Sequence, residues 1–353
     1  SKPIKVVYIP AGHTGYWGST AVPLPAVAKQ LGLDLTILPA RLLKERYLDV
    51  INRVVSAKDK PDWVLWTQRR NDPTVLLNLF KKHNIKSIDI TSGQLDYDLK
   101  LVGHPQQIYP NWIAQVMNDD YHGGQLLARD LIKDRKQIIP EERVNMIAIA
   151  GDRATKASQN TVKGLHSAFD ENVDATLIQT VYASWKREVA KEMTAKLLRR
   201  HEKIDAIWAA NPSIAFGVLE QVKSMNFNKH QQPLIASFGW NKQTFEAVKN
   251  EELDFSIGAN HLSAMWALII IHDHEKGIRI PATPEATLIK SPYVKATKEN
   301  IAHITPFLSA DYWEKVDIKQ FSKVYNTKLT NYQFDFSTLL KQKMAKEKIN
   351  SNL

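Results

Sequence analysis

The chain has 353 residues, of which 44% are hydrophobic and 24% charged; its formal net charge is +10 and it contains no cysteine. That length exceeds one small core and fits two domains of ordinary size, at roughly 100–200 residues each. The lack of cysteine excludes a disulfide framework, a thiolate nucleophile and a thiolate zinc site, and the scattering of Lys and Arg among Glu and Asp argues against nucleic acid as a partner.

The chain opens on Ser1–Lys5, which runs straight into a strand pattern with no starting Met and no apolar leader. This predicts a processed N-terminus with a secretory signal removed. A cysteine-free chain suits an oxidising compartment. The longest apolar run, Ala264–Ile271, is far short of the ~20 residues that cross a bilayer, so a soluble chain is expected.

Short β-rich runs then alternate with amphipathic helical stretches, the signature of βαβ units and parallel sheets. Strands are predicted at Lys5–Pro10, Asp34–Leu38, Trp63–Thr67, Ser87–Thr91 and Ala114–Met117, with helices over Ala26–Gly32, Leu42–Ala57 and Pro73–Asn84. The pattern restarts at Asn145–Ala150 and continues through Leu177–Tyr182, Asp205–Ala209, Leu234–Phe238 and Phe255–Gly258. Two similar α/β lobes follow from this repetition of architecture.

Beyond them an apolar helix, Ala264–Gly277, ends on the glycine a C-cap favours. Within it His272-Asp273-His274 points its imidazoles to different faces, which makes joint metal ligation poor and a solvated helix end the expectation. Leu288–Tyr293 reads as a late strand, at an edge because it contains Pro292. Residues 296–353 read as an extension that docks on the body through Phe307, Tyr312, Trp313, Phe321, Tyr325, Tyr332, Phe334 and Phe336, with the lysine-rich stretch Leu340–Lys348 a solvated helix end.

In open α/β sheets ligands bind beyond the carboxyl ends of the strands, where loops and helix N-termini present free N–H groups. Those loops carry Tyr16 and Trp17; Arg69 and Arg70; Asp119; Gln159; Trp185; Asn211; and Trp240 with Asn241. Rings cover the C–H faces of a hydroxylated ligand, while amides, carboxylates and guanidinium groups take hydroxyls that are costly to strip of water. The same residues also have ordinary structural uses, because Trp caps cores and Asp or Asn at a strand end is often a helix N-cap.

Several segments now line up with one family. Asn118-Asp119-Asp120-Tyr121-His122-Gly123-Gly124-Gln125-Leu126-Leu127-Ala128 resembles a Ser-Asp-Asn-x-x-Gly-Gly-x-x-Ala segment. Ile204-Asp205-Ala206-Ile207-Trp208-Ala209-Ala210-Asn211 through Gly217 resembles an Asp-Ala-Ile-x-x-x-Asn-Asp-x-x-Ala-x-Gly segment. Tyr182-Ala-Ser-Trp-Lys-Arg187 is similar to an Ala-Asp-Trp-Asp-Arg run. All three belong to the type I periplasmic binding proteins, the sugar-binding group that includes ribose-binding proteins and shares its core with the lactose-repressor family. The resemblance covers about residues 3 to 295.

It implies an α/β fold of two doubly wound Rossmann-like lobes with parallel sheets, joined by a hinge crossed three times, near residues 121–133, 259–262 and 287–295. The lobes would be 1–120 plus 262–288 and 121–261 plus 289–295. It also implies a periplasmic receptor that closes on a sugar-like ligand and delivers it to an inner-membrane ABC permease or reports it to a membrane sensor. Asp119 falls at the hydroxyl-binding carboxylate, Asn211 at the ligand amide, and Tyr16-Trp17 where the family carries stacking aromatics.

Two positions depart from the pattern. Gln159, beside Asn160, stands where an Arg is usual, and Phe238-Gly239-Trp240-Asn241 replaces Phe-Asp-Gly, so a ligand other than ribose in its usual pose is expected. Arg69 and Arg70 are candidates for the missing fork-like donors, or a rim pair at the Asp72-Pro73 turn.

Gly12-x-x-Gly15-x-x-Gly18 does not match a dinucleotide loop, and no GxSxG, HExxH or GxxxxGK[ST] segment occurs. The expectation is therefore a monomeric binding protein with no enzymatic activity, cofactor or metal. A DNA-binding repressor is expected less, since it needs a helix-turn-helix ahead of the first strand.

Overall fold

In a computed structural model, residues 2–40, 46–67 and 73–352 are described. The chain divides into two units. The first comprises Ser1–Asn118, Asn260–Ser291 and Pro306–Ala345; the second comprises Asp119–Ala259, Pro292–Thr305 and Lys346–Leu353. The chain passes between them after residues 118, 259 and 291, and the segment read as an extension is shared out between both.

The first unit is built on strands β1 (Lys5–Tyr8), β2 (Asp34–Ile37), β3 (Trp63–Thr67), β4 (Lys86–Thr91) and β5 (Trp112–Asn118). The second has β6 (Val144–Ala150), β7 (Ala175–Tyr182), β8 (Ala206–Ala209), β9 (Leu234–Phe238) and β10 (Phe255–Gly258). Two late strands complete the sheets: β11 (Leu288–Ser291) in the first unit and β12 (Val294–Ala296) in the second.

The first sheet runs in the order β11-β5-β4-β3-β1-β2 and the second β12-β10-β9-β8-β6-β7. All pairings are parallel except β10 with β12, where Ile257 lies opposite Lys295 in antiparallel register. Pro292 explains the late pair. It has no N–H to give a ladder, so the run expected as one edge strand breaks at Pro292-Tyr293 into two, each an edge strand of a different sheet.

The inner strands β3 and β5 are buried along their whole length, as apolar runs covered on both faces must be. Against them the helix Pro73–Lys82 buries Leu76, Leu77 and Phe80, and Tyr47–Ser56 buries Val50, Ile51, Val54 and Val55. Trp66 anchors this layer, its ring centroid 6.0 Å from Phe80 and 6.4 Å from Trp112. In the second unit the helices Asp120–Ile138 and Lys156–Glu171 cross backbone against backbone. A Cβ on Gly124 would lie 1.9 Å from Thr161 O and one on Gly164 1.8 Å from Tyr121 O, so neither position admits a side chain.

The helix Ser263–Glu275 is buried from Ser263 through His274. This corrects the expectation of a solvated His272-Asp273-His274 end. The chain's own segment 306–345 belongs to the same unit and supplies partners there: Asp273, fully buried, accepts hydrogen bonds from Ser322 Oγ (2.5 Å), Lys323 N (2.8 Å) and Tyr332 OH (2.8 Å), besides one shared with the neighbouring His272 Nδ1 (2.8 Å). Trp266 on the same helix stacks on Phe334 at 5.0 Å and meets Phe321 edge-on at 4.9 Å. The final helix, Phe336–Ser351, buries Phe336, Leu339 and Leu340 and leaves most of its lysine-rich end exposed. No helix among the described residues is long and apolar enough to cross a membrane.

Candidate functional site

The carboxyl end of the first sheet gathers residues from the loops after β1, β4 and β5. Gly15, at φ +56°, opens the helix Gly15–Ala21, whose first turn carries Tyr16 and Trp17 half-buried and edge-to-face at 5.0 Å. The helix is tied down from beneath, where Thr20 Oγ1 donates to Trp17 O (2.7 Å) and shares a 2.8 Å hydrogen bond with Tyr8 OH of β1. Tyr16 OH and Asn118 Nδ2 both donate to the carbonyl of Asn260, each at 2.9 Å, so these loops meet at one acceptor.

Next to them lie polar atoms that reading the loops residue by residue does not single out. Thr67 Oγ1 ends β3, Thr91 Oγ1 ends β4 and Gln94 Oε1 follows it; all three are buried without a hydrogen-bond partner among the described residues. An unmade bond at such an atom costs about 1–3 kcal/mol, so a cluster at one sheet edge is an arrangement that a polar guest would relieve. The other end of Gln94 is fixed, because its Nε2 donates to Asp89 Oδ2 at 2.9 Å. Arg69 and Arg70 lie outside the described residues.

In the second unit the adjacent strands β9, β8, β6 and β7 deliver Trp240-Asn241, Asn211, the 151–159 turn and Trp185 to one sheet edge. Asp119, Asn211 and Asn241 are helix N-caps. Their side-chain oxygens accept from His122 N (3.2 Å), Ile214 N (2.8 Å) and Thr244 N (2.7 Å). The cap employs Oδ1 of each Asn, which leaves the Nδ2 donors for another acceptor, and one oxygen of Asp119, which leaves the second. Asn211 and the β9 loop are close neighbours: Gly239, at φ +96°, packs on Pro212, and a Cβ there would lie 2.8 Å from Pro212 Cδ.

Gln159 is half-buried and donates through Nε2 to Arg153 O at 3.0 Å. Trp185 is half-buried over Gly151, with its Nε1 donating to Asp152 Oδ2 at 2.7 Å. Trp240 differs from the open stacking ring expected of it. It is only 5% exposed, meets Phe245 at 5.9 Å, donates to Ser256 O at 3.5 Å and covers Gly258, where a Cβ would lie 2.3 Å from the indole. Gly258 gives it a slot, a fit that only the packing of β10 against the β9 loop creates. Among the described residues no cluster of three or more His, Asp or Glu is arranged to hold a metal ion.

Comparison with known proteins identifies the family. The family model described as "Periplasmic binding protein domain" matches residues 4–269. A D-apiose import binding protein of Paraburkholderia graminis is 20% identical over 197 residues; that match spans 55% of this chain and 59% of the relative, less than two thirds of its length. A periplasmic sugar-binding protein from Pseudomonas fluorescens superposes with a TM-score of 0.82 at 23% identity, covering 95% of this chain and 99% of that one. An ABC transporter periplasmic solute binding protein from Actinobacillus succinogenes 130z with bound D-allose gives 0.69 at 19% identity, over 85% and 99%. At these identities the superpositions speak for the fold.

Proposed function

The chain belongs to the periplasmic binding protein domain family, and on that premise we propose that it is a periplasmic solute receptor that binds a sugar or sugar-like compound and delivers it to an ABC-type permease. The observation that carries this reading is chemical: half-exposed rings stand beside polar side chains at the carboxyl end of each sheet, and in the first sheet the buried oxygens of Thr67, Thr91 and Gln94 have no partner among the described residues. Indole and phenol faces suit the C–H faces of a sugar ring, and Thr67, Thr91, Gln94, Asp119, Asn211 and Asn241 offer donors and acceptors to its hydroxyls. The relatives named for D-apiose import and for bound D-allose fit the same ligand class.

Micromolar affinity corresponds to about −8 kcal/mol, which a handful of hydrogen bonds and stacked rings supply after the costs of ordering.

The test is a thermal-shift screen of the intact protein against D-apiose, D-allose, other pentoses and hexoses, polyols and small carboxylates, with calorimetry on whatever stabilises it. At least one sugar is expected to raise the melting temperature and to bind at micromolar Kd or tighter. If no sugar does so while a carboxylate does, the ligand class is wrong; if nothing does, the receptor reading fails.

A further inference from the structure

The turn after β7 spends conformational energy on a tryptophan. Pairing continues past the strand ends, with Ala183 N donating to Ala150 O and Ser184 N to Gly151 O, both at 2.9 Å. The backbone then places Ser184 at φ +52° and Trp185 at φ +61°, two successive side-chain-bearing residues in the left-handed region, before Lys186 N closes the turn on Ala183 O at 3.0 Å. A ring needed only to fill a core has no use for such a backbone, and this ring stays half-exposed.

What it lies on is built to receive it. A Cβ at Gly151 would come within 2.2 Å of Trp185 Cζ2, so the indole occupies the space where any other residue would put its side chain. Its Nε1 is aimed at Asp152 Oδ2 (2.7 Å).

Asp152 in turn is fixed independently of the tryptophan. Its Oδ1 accepts from Ala154 N (2.9 Å), Thr155 N (2.9 Å) and Thr155 Oγ1 (3.1 Å), while its own backbone exchanges bonds with Ser158 Oγ: Asp152 O accepts at 2.5 Å and Asp152 N donates at 3.3 Å. Burial pushes the carboxyl up, but the bonds from Thr155 and Trp185 outweigh it and hold Asp152 below the usual carboxylate range. It is ionised at neutral pH, and a charged acceptor makes the stronger, more directional bond. The same turn carries Gln159 through Arg153 O and sets the Arg153 guanidinium 4.0 Å over the Tyr182 ring.

We infer that Asp152 is a positioning residue: it locks the Trp185 indole against Gly151 as a preformed stacking platform, so that the second unit meets the apolar face of a sugar ring with no side chain left to order. This rests on the receptor reading above, and it assigns to Asp152 a role exerted through Trp185 and not through its own contact with the sugar. Locking the ring beforehand removes an ordering cost that would otherwise be charged to binding.

The experiment has one arm without ligand and one with it. In the ligand-free protein labelled with 15N, the indole N–H of Trp185, assigned by its loss in Trp185→Phe, is expected to exchange with solvent at least tenfold more slowly than in Asp152→Ala. In the second arm, the sugar selected by the screen is titrated into wild type, Asp152→Ala, Trp185→Ala and the double variant. Asp152→Ala is expected to weaken binding about tenfold, Asp152→Asn, which keeps an acceptor, to recover most of that, and the double variant to bind no more weakly than Trp185→Ala alone.

Equal exchange in wild type and Asp152→Ala overturns the inference whether or not any sugar binds. Additive losses in the double variant also overturn it, because Asp152 then acts on the ligand or the fold by a route that bypasses Trp185. A screen without a binder rejects the receptor reading and leaves the exchange arm to decide the platform.

Discussion

Asp89 stands in the middle of β4, fully buried, and accepts from Trp112 Nε1 (2.7 Å), Gln115 Nε2 (2.6 Å) and Gln94 Nε2 (2.9 Å). Burial is the stronger influence: it raises the carboxyl to about 7 even though the three donors pull it down. A folded-state value above the unfolded one, near 4, means the native state holds the proton more tightly. The associated stability is therefore complete below about pH 4 and lost as pH rises through about 7. Asp89→Asn abolishes this titration. Urea-unfolding midpoints of wild type minus variant are expected to fall by an amount worth on the order of a few kcal/mol between pH 4 and 7, and a flat difference would show that the carboxylate is ionised throughout. The same carboxyl holds the Gln94 amide nitrogen, which leaves Gln94 Oε1 without a partner among the described residues.

At the scale of elements, the buried helix Ser263–Glu275 depends on a segment far along the chain. Asp273 gathers bonds from Ser322, Lys323 and Tyr332, and a hydrogen bond to a charged group contributes about 1.5–3 kcal/mol. Asp273→Asn keeps the shape but loses the charge and reverses one side of the amide, so it is expected to lower the melting temperature by several degrees. Asp311→Asn, at an exposed position of the same segment, is expected to change stability by no more than about 0.5 kcal/mol. Equal melting temperatures for the two variants would mean that the segment is held by its aromatic contacts, Trp266 with Phe321 and Phe334, and not by Asp273.

The same helix shows where sequence is informative and where it is silent. The strands and the parallel architecture are legible because buried parallel strands must be continuous apolar runs, and Gly277, at φ +94°, ends the helix where its lack of a side chain says it should. The burial of His272-Asp273-His274 is not legible, since its partners are about fifty residues away and nothing local marks them. At the candidate site the loops are legible from their place after strands, whereas the duties within them are not. Asp119, Asn211 and Asn241 are recognisable as polar residues that either cap a helix or meet a ligand, but the fold is needed to show that each gives one oxygen to a cap and keeps its other polar atom clear of it. Asp152 gives no signal, because its importance comes from where Trp185 points.

For the whole molecule, the receptor reading makes affinity a property that single substitutions can lower without loss of the fold. The N-caps set the choice of variant: Ala at Asn211 or Asp119 would remove a cap, worth about 1 kcal/mol, along with any ligand contact. Asn211→Asp retains the Oδ1 acceptor for Ile214 N and puts a charged carboxylate oxygen in place of the Nδ2 donors, Asp119→Asn retains an acceptor for His122 N, and Trp17→Leu in the first unit keeps apolar bulk while removing the indole. Each is expected to melt within a few degrees of wild type alone but to bind the sugar at least tenfold more weakly, a loss of about 1.4 kcal/mol. At a sugar concentration 100-fold above Kd the wild type should gain about 2.7 kcal/mol, and each variant correspondingly less at that same concentration. If Trp17→Leu binds like wild type while Asn211→Asp does not, Trp17 takes no part in binding, and the stacking role read for the rings of the first unit falls with it.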